Sequence, residues 1–273
     1  MNAQELKDAV ISLPYLDVQR TEPIRELLAG QPPVECWPTY VNRIKDALSE
    51  RDPYEFQQWG VISHTMMATE MGTGHALGYL KSRSDWHSRW LPLITDDHKL
   101  FHWRTALIQA YYMAQLEERT GVCIGDLKLV LEFGGGFGKM CYLFRKLGFQ
   151  GRYLLFDFPV LLALQKFFLT EMGVSATYVS EPRSFSAPVW CSPVLFVAMF
   201  SLSEAPHLAR QPFRALAPIF DFFLIGYSSG GGHTDMENDA YFRAWRDDMP
   251  HVAWHHERIP WTRSGYGLIG GKR

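Results

Sequence analysis

The sequence lacks the features that mark secreted, metal-clustered and membrane-spanning proteins. Its 273 residues contain only four cysteines, Cys36, Cys123, Cys141 and Cys191, and no two of them form a C-x-x-C pair. Neither a zinc knuckle nor a disulfide framework is therefore predicted, and we expect buried thiols. No run approaches the roughly 18 apolar residues that a membrane span needs. The N-terminus also lacks a basic region followed by an apolar core, so no secretory signal is expected.

The chain also has almost no excess of charge of either sign. The net charge is -2, and Lys, Arg, Asp and Glu are interspersed along the chain. A nucleic-acid-binding surface usually carries a basic patch, so neither a nucleic-acid partner nor a nucleic-acid substrate is predicted. Hydrophobic residues make up 47% of the chain, which is enough to bury a large core in one domain, or in a smaller core with an extension. We therefore expect a cytoplasmic globular protein with no membrane partner.

The most informative stretch is KLVLEFGGGFGKMCYLFRKLGFQGRYLLFD, residues 128–157. An apolar run at 129–133 ends in a glycine cluster, a helical stretch follows, and a second apolar run at 153–156 ends at Asp157. Short continuous apolar runs are typical of buried parallel strands. Glycines let the chain turn sharply and leave backbone donors exposed at the start of a helix. The stretch predicts a strand, loop, helix and strand that hold a nucleotide-like ligand.

The glycine spacing bears on which nucleotide binds. A dinucleotide fingerprint requires G-x-G-x-x-G or its alanine-ended form. Counted from Gly134, the last position falls on Lys139, and counted from Gly136, it falls on Cys141. Neither register completes the fingerprint, which argues against a nicotinamide-dependent oxidoreductase.

The pattern that is present is E-x-G-x-G-x-G, followed by an acid after the second strand. It resembles the first motif of class I S-adenosylmethionine-dependent methyltransferases. In that family the glycine loop passes under the amino-acid part of the cofactor, and the acid accepts hydrogen bonds from the ribose hydroxyls. An ionised carboxylate is acceptor-only, which suits this task. A glycine-rich turn beside a surface aspartate is the alternative. The cofactor-binding residues that the resemblance implies are Glu132, Phe133, Gly134, Gly135, Gly136, Gly138, Asp157 and Phe158.

Residues 1–125 are predicted to be mainly helical. The sequence D-P-x-E at 52–55 is typical of a helix start, and apolar spacing predicts a long helix over 95–118. Residues 71–92, rich in Gly, Trp and His, show no clean period and are interpreted as a mobile or substrate-facing connection. His98 and His102 lie one turn apart on the predicted long helix. No third ligand has a matching spacing, so no metal site is predicted.

The second half of the chain alternates as an α/β domain requires. Helices are predicted at 159–173, 201–218 (with Ser203 near its start) and 238–248, and further strands at 176–179, 193–200, 221–227, 251–259 and 265–273. The two closing strands match the β-hairpin that ends class I methyltransferases, whose final strand runs antiparallel to the rest. We therefore predict an α/β fold with a seven-stranded Rossmann-like sheet, its last strand antiparallel, and an N-terminal mainly helical extension.

Residues 128–270 also resemble one particular family within the class I methyltransferases. The segments LEFGGGFGKM, FDFP, FSLSEAP, NDAYF and WHHERIPWTRSGYGLIG together resemble the sugar O-methyltransferase family. This implies transfer of a methyl group from S-adenosylmethionine to a sugar or natural-product hydroxyl. Methylation of nitrogen or carbon and a non-catalytic cofactor-binding subunit remain alternatives. Residues 1–125 are then expected to cover a small-molecule acceptor and to build a homodimer, and residues 126–273 to form the cofactor-binding catalytic domain.

Methyl transfer to a hydroxyl also requires removal of a proton. A general base is expected in the loops at the carboxyl ends of the strands, where α/β sheets bind ligands, or in the helical region. Glu204 and His233 follow the fourth and fifth predicted strands, and His64 and His75 lie in the helical region. A single histidine is more often structural or exposed, and Glu204 also suits the first turn of a helix.

Overall fold

The computed structural model describes residues 1–16, 37–66, 70–181, 192–229 and 237–272, with the backbone alone for 64–66 and 70–71. The α-helices of these residues are α1 (Ala3–Ser12), α2 (Trp37–Glu50), α3 (Gly60–Met66), α4 (Glu70–Lys81), α5 (Leu91–Ile94), α6 (Trp103–Thr120), α7 (Lys139–Lys146), α8 (Pro159–Glu171), α9 (Ser201–Glu204), α10 (His207–Leu216) and α11 (Asn238–Asp248). Short 3-10 or π turns occur at Pro53–Gln58, Trp86–Trp90, Ile124–Asp126 and Ala217–Ile219.

One mixed sheet organises the second half of the chain. Its strands are β1 (Leu129–Phe133), β2 (Arg152–Phe156), β3 (Thr177–Val179), β4 (Val194–Met199), β5 (Phe222–Ser228), β6 (Val252–Arg258) and β7 (Gly265–Lys272). The order is β3-β2-β1-β4-β5-β7-β6. The first five strands are parallel, and β7 runs antiparallel to both β5 and β6. The predicted seven-stranded sheet with an antiparallel last strand is confirmed.

Helices cover both faces of this sheet, which explains the continuous apolar runs of its central strands. All five residues of β1 are buried. Val130 faces the core built with α6, α7 and α8, whereas Leu129 and Leu131 face the core built with α10 and α11. This alternation follows from the two-residue side-chain period of a strand.

The N-terminal helices extend the first of these cores. Phe56 packs edge-on against Phe137 at 5.3 Å and against Phe168 at 6.4 Å between ring centroids. Asp52 caps the turn that carries Phe56, and its side chain accepts a hydrogen bond from the Tyr54 N–H. The predicted start at 52–55 is therefore confirmed, although the first six residues form a 3-10 turn rather than an α-helix.

Residues 71–92, interpreted as a mobile or substrate-facing connection, are mostly helical; whether they face a substrate stays a prediction. This stretch forms most of α4, a π turn and the start of α5. Gly72 lies within α4 without breaking it. Its role is to allow Ile108 and Trp261 to approach the helix backbone closely. A Cβ there would lie 2.9 Å from Ile108 Cδ1 and 2.9 Å from Trp261 Nε1. Glycine thus allows this helix to pack tightly against α6 and the connection between β6 and β7.

The long predicted helix begins eight residues later than expected, at Trp103. Its upstream residues are held in a loop because Asp96 accepts hydrogen bonds from the His98 N–H, at 2.9 Å, and from the Tyr142 hydroxyl. The His102 side chain accepts a hydrogen bond from the Thr105 N–H and so caps the helix. His98 and His102 consequently do not share a helix face. In the described ranges, no group of three or more His, Cys, Asp or Glu side chains is placed to hold a metal ion.

The predicted helix at 201–218 and the predicted burial of the cysteines also need correction. Residues 201–218 form α9, α10 and a 3-10 turn instead of one helix, and the Ser203 hydroxyl donates to Phe200 O at 2.6 Å instead of capping a start. Cys141 is buried as predicted, but Cys123 is exposed in the turn before β1. Cys36 and Cys191 lie outside the described residues. No helix of the described parts is long and apolar enough to cross a bilayer.

Candidate active site

The glycine loop follows β1 and turns back over the carboxyl end of β2. Gly134, Gly136 and Gly138 adopt left-handed backbone conformations, with φ of 72°, 58° and 97°. These angles strain any residue with a Cβ, so the three glycines are required by the backbone path itself. The Gly134 N–H donates to Phe156 O at 2.8 Å, which fixes the loop to the end of β2.

Space around the loop is as restrictive as its backbone. A Cβ on Gly134 would lie 2.2 Å from Ser201 Cβ, and a Cβ on Gly135 would lie 2.5 Å from Leu155 Cδ2. Both distances are far shorter than a van der Waals contact. The loop is therefore a bare backbone surface held between the end of β2 and the segment that follows β4.

Asp157 stands immediately after β2 and meets this loop. It is 8% exposed. Its Oδ1 accepts a hydrogen bond from the Phe158 N–H at 2.8 Å, and its Oδ2 accepts one from Gln165 Nε2 at 2.8 Å. Burial raises the pKa of Asp157 to about 7, while the N–H donors of Phe158, Gln165 and Gly135 act in the opposite direction. The acid that the sequence pattern indicated is thus brought to the glycine loop.

Gln165 is the residue of this site that sequence reasoning missed. It lies on α8, fully buried, and its Nε2 also donates to Gly136 O at 3.0 Å. One amide group therefore joins the acid to the loop. Its Oε1 is buried and has no hydrogen-bond partner within the described ranges. The available signal was a lone glutamine in the apolar run VLLALQKFFL, eight residues beyond Asp157.

Glu132 lies beneath the loop and supports it from the sheet. It is buried, and its Oε2 accepts a hydrogen bond from the Tyr153 hydroxyl at 2.8 Å. A Cβ on Gly135 would lie 3.4 Å from the same oxygen. Burial raises the pKa of Glu132 to about 8, and the nearby charge of Asp157 adds to the effect. The side chain is thus largely protonated at neutral pH in the absence of a neighbouring cation.

Phe133 and Phe158 reach the loop through their backbones. The Phe133 ring packs in the core, 4.8 Å from the ring of Phe213, and its carbonyl accepts a hydrogen bond from the Ser201 hydroxyl. Phe158 is half-buried, and its N–H is bonded to Asp157. Among the described residues, no ring contact of Phe133 or Phe158 involves the glycines, so their backbone groups are what connects them to this site.

A buried lysine stands directly after the loop, at the first position of α7. The Lys139 Nζ lies 4.1 Å from the ring centroid of Phe101 and 5.0 Å from that of Phe168. It has no hydrogen-bond partner within the described chain. Burial lowers the pKa of Lys139 to about 7, against an opposing effect of Asp96. The amino group thus lies among the aromatic rings of Phe101 and Phe168, with or without its extra proton near pH 7.

Glu204 joins the end of β4 to the N-terminal helices. Its Oε2 accepts a hydrogen bond from Trp37 Nε1, on α2, at 2.8 Å. Burial raises the pKa of Glu204, and the Trp37 N–H partly opposes this. A carboxyl with a raised pKa at the carboxyl end of a central strand is a stronger base than an ordinary glutamate, which suits proton transfer.

A buried arginine holds the segments after β4 and β5 together. Arg210 is fully buried and donates to Ser203 O at 2.8 Å and to Asn238 Oδ1 at 2.8 Å. Asn238 Nδ2 in turn donates to Ser228 O at 2.9 Å. The peptide before Glu204 is therefore fixed to the end of β5 and to the start of α11.

Of the three candidate histidines, the structure describes the side chain of His75 alone. His75 is exposed on α4, where its ring lies 5.3 Å from Trp261 and 5.8 Å from Tyr111, and not among the side chains around Glu204 described above. His233 lies outside the described residues, and so does the side chain of His64. Of the predicted residues, the glycine loop, Asp157 and Glu204 follow the carboxyl ends of the neighbouring parallel strands β1, β2 and β4.

These residues fit the nucleoside and amino-acid parts of S-adenosylmethionine. Gly134 and Gly136 are partly exposed and have no side chain, so a ligand can approach the loop backbone there. A carboxylate offers about four acceptor positions, and three donors act on Asp157, so capacity remains for a ribose hydroxyl.

Neither the family models nor the curated proteins give a match to this sequence. Among solved structures, the chain is similar to magnesium protoporphyrin IX methyltransferase from Synechocystis PCC 6803, solved with bound S-adenosylmethionine. The identity is 14%, covering 76% of this chain and 99% of that one, and the TM-score is 0.47. It is also similar to an O-methyltransferase family protein from Burkholderia thailandensis, at 13% identity, 86% and 72% coverage and a TM-score of 0.42.

A methyltransferase from Aquifex aeolicus, described as S-adenosylmethionine-dependent, is similar at 12% identity. The match covers 60% of this chain and 89% of that chain, with a TM-score of 0.45. At such identities these likenesses concern the fold alone.

Proposed function

We propose that the protein is an S-adenosylmethionine-dependent methyltransferase that acts on a small molecule, with O-methylation of a sugar or natural-product hydroxyl favoured. The observation that carries the proposal is the left-handed glycine loop after β1, joined through Gln165 to a buried acid after β2. The closing hairpin and the incomplete dinucleotide fingerprint argue against a nicotinamide cofactor.

The chain's residues divide into a cofactor side and an acceptor side. S-adenosylmethionine, when bound, supplies a methyl group that is already activated by its sulfonium. Asp157 would accept hydrogen bonds from the ribose hydroxyls, with its carboxylate held by Gln165. The glycine loop would carry the amino-acid part on its backbone, with Glu132 supporting the loop from below.

On the acceptor side, Glu204 is the base that the geometry favours. Its Oε2 is bonded to Trp37, which leaves Oε1 to take the proton of an acceptor hydroxyl. Fixing the acceptor in line with the methyl group contributes more than the base, since orientation is worth about 7–11 kcal/mol. His64, His75 and His233 remain alternative bases in this proposal. Nitrogen and carbon acceptors, for which a strong base is not always needed, remain alternative substrates.

The N-terminal region is assigned to the acceptor and to assembly. The hydrogen bond from Trp37 to Glu204 connects α2 to the segment after β4, so residues 1–125 adjoin the place where an acceptor would bind. We propose that they close this pocket and form a homodimer of a cytoplasmic enzyme, with residues 126–273 as the catalytic domain.

Calorimetric titration tests the cofactor assignment. S-adenosylmethionine and its demethylated product are expected to bind, and NADH is not. Gly136→Val is expected to abolish binding, because a branched side chain resists φ of 58° and covers the backbone surface. Gly148→Val is the matched control, since Gly148 is also left-handed, with φ of 92°, but lies in open space after α7. Wild-type affinity in Gly136→Val, with the fold intact by circular dichroism, would refute the assignment.

A further inference from the structure

A cavity of about 200 Å³ lies apart from the glycine loop, where β5, β6 and β7 meet α11. Tyr227 lines it from β5, and Tyr266 lines it from β7. The strands that line it, β5, β7 and β6, are two to four positions away from β1 in the sheet, which at about 4.8 Å per strand is about 10–19 Å. The cavity is therefore separate from the surface assigned to the cofactor.

Flat rings form one wall of this cavity. The ring of Tyr227 lies nearly parallel to that of His256, at 5.8 Å and 12°, and to that of Tyr266, at 5.7 Å and 25°. Phe242 stacks on Tyr227 at 4.3 Å. Aromatic rings pair best in offset stacks or edge-to-face arrangements, so such a wall favours a planar ligand over a puckered one.

Two arginines line the cavity from α11. Arg243 and Arg246 are one helical turn apart and both contribute to the cavity wall. Neither forms a hydrogen bond or an ion pair with the residues that the structure describes. A guanidinium presents a planar set of donors that matches a carboxylate. The pair thus offers an anion its hydrogen bonds without breaking any that the described protein already makes.

Asp239 sets the charge balance of the cavity. It lines the cavity beside Tyr227, whose hydroxyl oxygen forms a hydrogen bond of 2.7 Å with His256 Nε2. Burial and the charge of Arg246 lower the pKa of His256, so the ring is largely neutral at pH 7. Two positive groups and one negative group leave one excess positive charge.

We propose that this cavity binds a planar aromatic molecule carrying a single carboxylate. A cavity of 150 Å³ suffices for benzene, so about 200 Å³ suits one ring with its carboxylate. The arginines bind the carboxylate, and the accessible rings of His256 and Tyr266 stack on the ligand ring, with Tyr227 buried beside them. The site does not depend on the proposed methyltransferase function.

Titration of the full chain with benzoate tests this site, with two analogues as controls. Benzamide keeps the ring and removes the charge, and cyclohexanecarboxylate keeps the charge and removes the planarity. Benzoate is expected to bind at least about 10-fold more tightly than benzamide, because hydrogen bonds to a charged group are the stronger ones. It is also expected to bind more tightly than cyclohexanecarboxylate. Equal affinities for the three compounds, or no saturable benzoate binding below about 10 mM, would overturn the proposal.

Variants locate the binding. The double variant Arg243→Met, Arg246→Met is expected to weaken benzoate at least about 10-fold. Arg152→Met is the matched control, since Arg152 is exposed at the start of β2, on the other side of the sheet. In proton NMR, benzoate is expected to shift the ring signal of His256 and to leave that of His251, in the turn before β6, unchanged. Unaltered benzoate affinity in the double variant contradicts the proposal, as does an unmoved His256 signal. Binding that persists in Gly136→Val shows that this site is independent of the cofactor loop.

Discussion

Replacing Gln165 with leucine should separate the two contributions that this residue makes at the glycine loop. The leucine has nearly the same volume, so it leaves the apolar packing of α8 filled. It removes the hydrogen bond to Asp157 Oδ2, at 2.8 Å, and the one to Gly136 O, at 3.0 Å. Both partner oxygens then lie in a buried environment without this donor.

The expected loss of unfolding free energy follows from those two bonds. A hydrogen bond to a charged group is worth about 1.5–3 kcal/mol, and one between neutral groups about 0.5–1.5 kcal/mol. Together they give about 2–4.5 kcal/mol at a pH where Asp157 is ionised. Below the pKa of Asp157, which burial raises to about 7, the carboxyl is protonated in the folded protein. The hydrogen bond then has a neutral acceptor, so the loss is expected to be smaller.

Urea unfolding of the wild type and Gln165→Leu at pH 5 and pH 8 measures both quantities. Gln211→Leu on α10 serves as the control, because that glutamine is exposed and bonded only to His207 among the described residues. The expected result is a loss at pH 8 that exceeds the loss at pH 5 by at least about 1 kcal/mol. A loss below about 0.5 kcal/mol, or one that is equal at the two pH values, would refute the assignment of Gln165 as the link between acid and loop.

Other substitutions test the site from both sides. Because burial raises the folded pKa of Asp157 above its ordinary value, folding takes up protons there and stability falls as pH rises from about 4 to about 7; Asp157→Asn should reduce that fall in urea unfolding. Asp157→Ala is expected to weaken S-adenosylmethionine by about 1.5–3 kcal/mol in calorimetry, and an unchanged affinity would place the ribose contact elsewhere. Glu204→Gln is expected to lower turnover at least about 100-fold without changing cofactor affinity. Near wild-type turnover would transfer the role to His64, His75 or His233, each tested as alanine. Light scattering at micromolar concentration is expected to show a dimer, which a strictly monomeric species would contradict.

Local sequence patterns correctly predicted those elements that pack against elements adjacent to them in the sequence. The unit from β1 to β2 and the β6–β7 hairpin belong to this class, because short apolar runs and glycines specify them within about 30 residues. The stretch that became α4 was misjudged because its glycines were interpreted as breakers. Gly72 is instead explained by Ile108 and Trp261, both too far along the chain for a local pattern to show.

The same distinction applies to the site. Asp157 was predicted because it follows directly on a strand, where α/β sheets place ligand contacts. Gln165 and Trp37 were not, since each has its role through a partner on another element. The bond from Trp37 to Glu204 spans 167 residues of sequence. Arg210 likewise joins the segment after β4 to the end of β5, through Ser203 O and through the Asn238 side chain that donates to Ser228 O; such distant contacts have no signature in the sequence.

The position of β7 has a consequence for how the protein is made. β7 follows β6 along the chain, yet it lies between β5 and β6 in the sheet. A ribosome that has completed β6 has therefore made a strand with no partner in the nascent sheet, while the edge of β5 is still open. An unpaired strand edge is a template for pairing with other chains. The interval before β7 emerges is thus the period in which the nascent chain is most prone to pair with other chains and benefits most from chaperones.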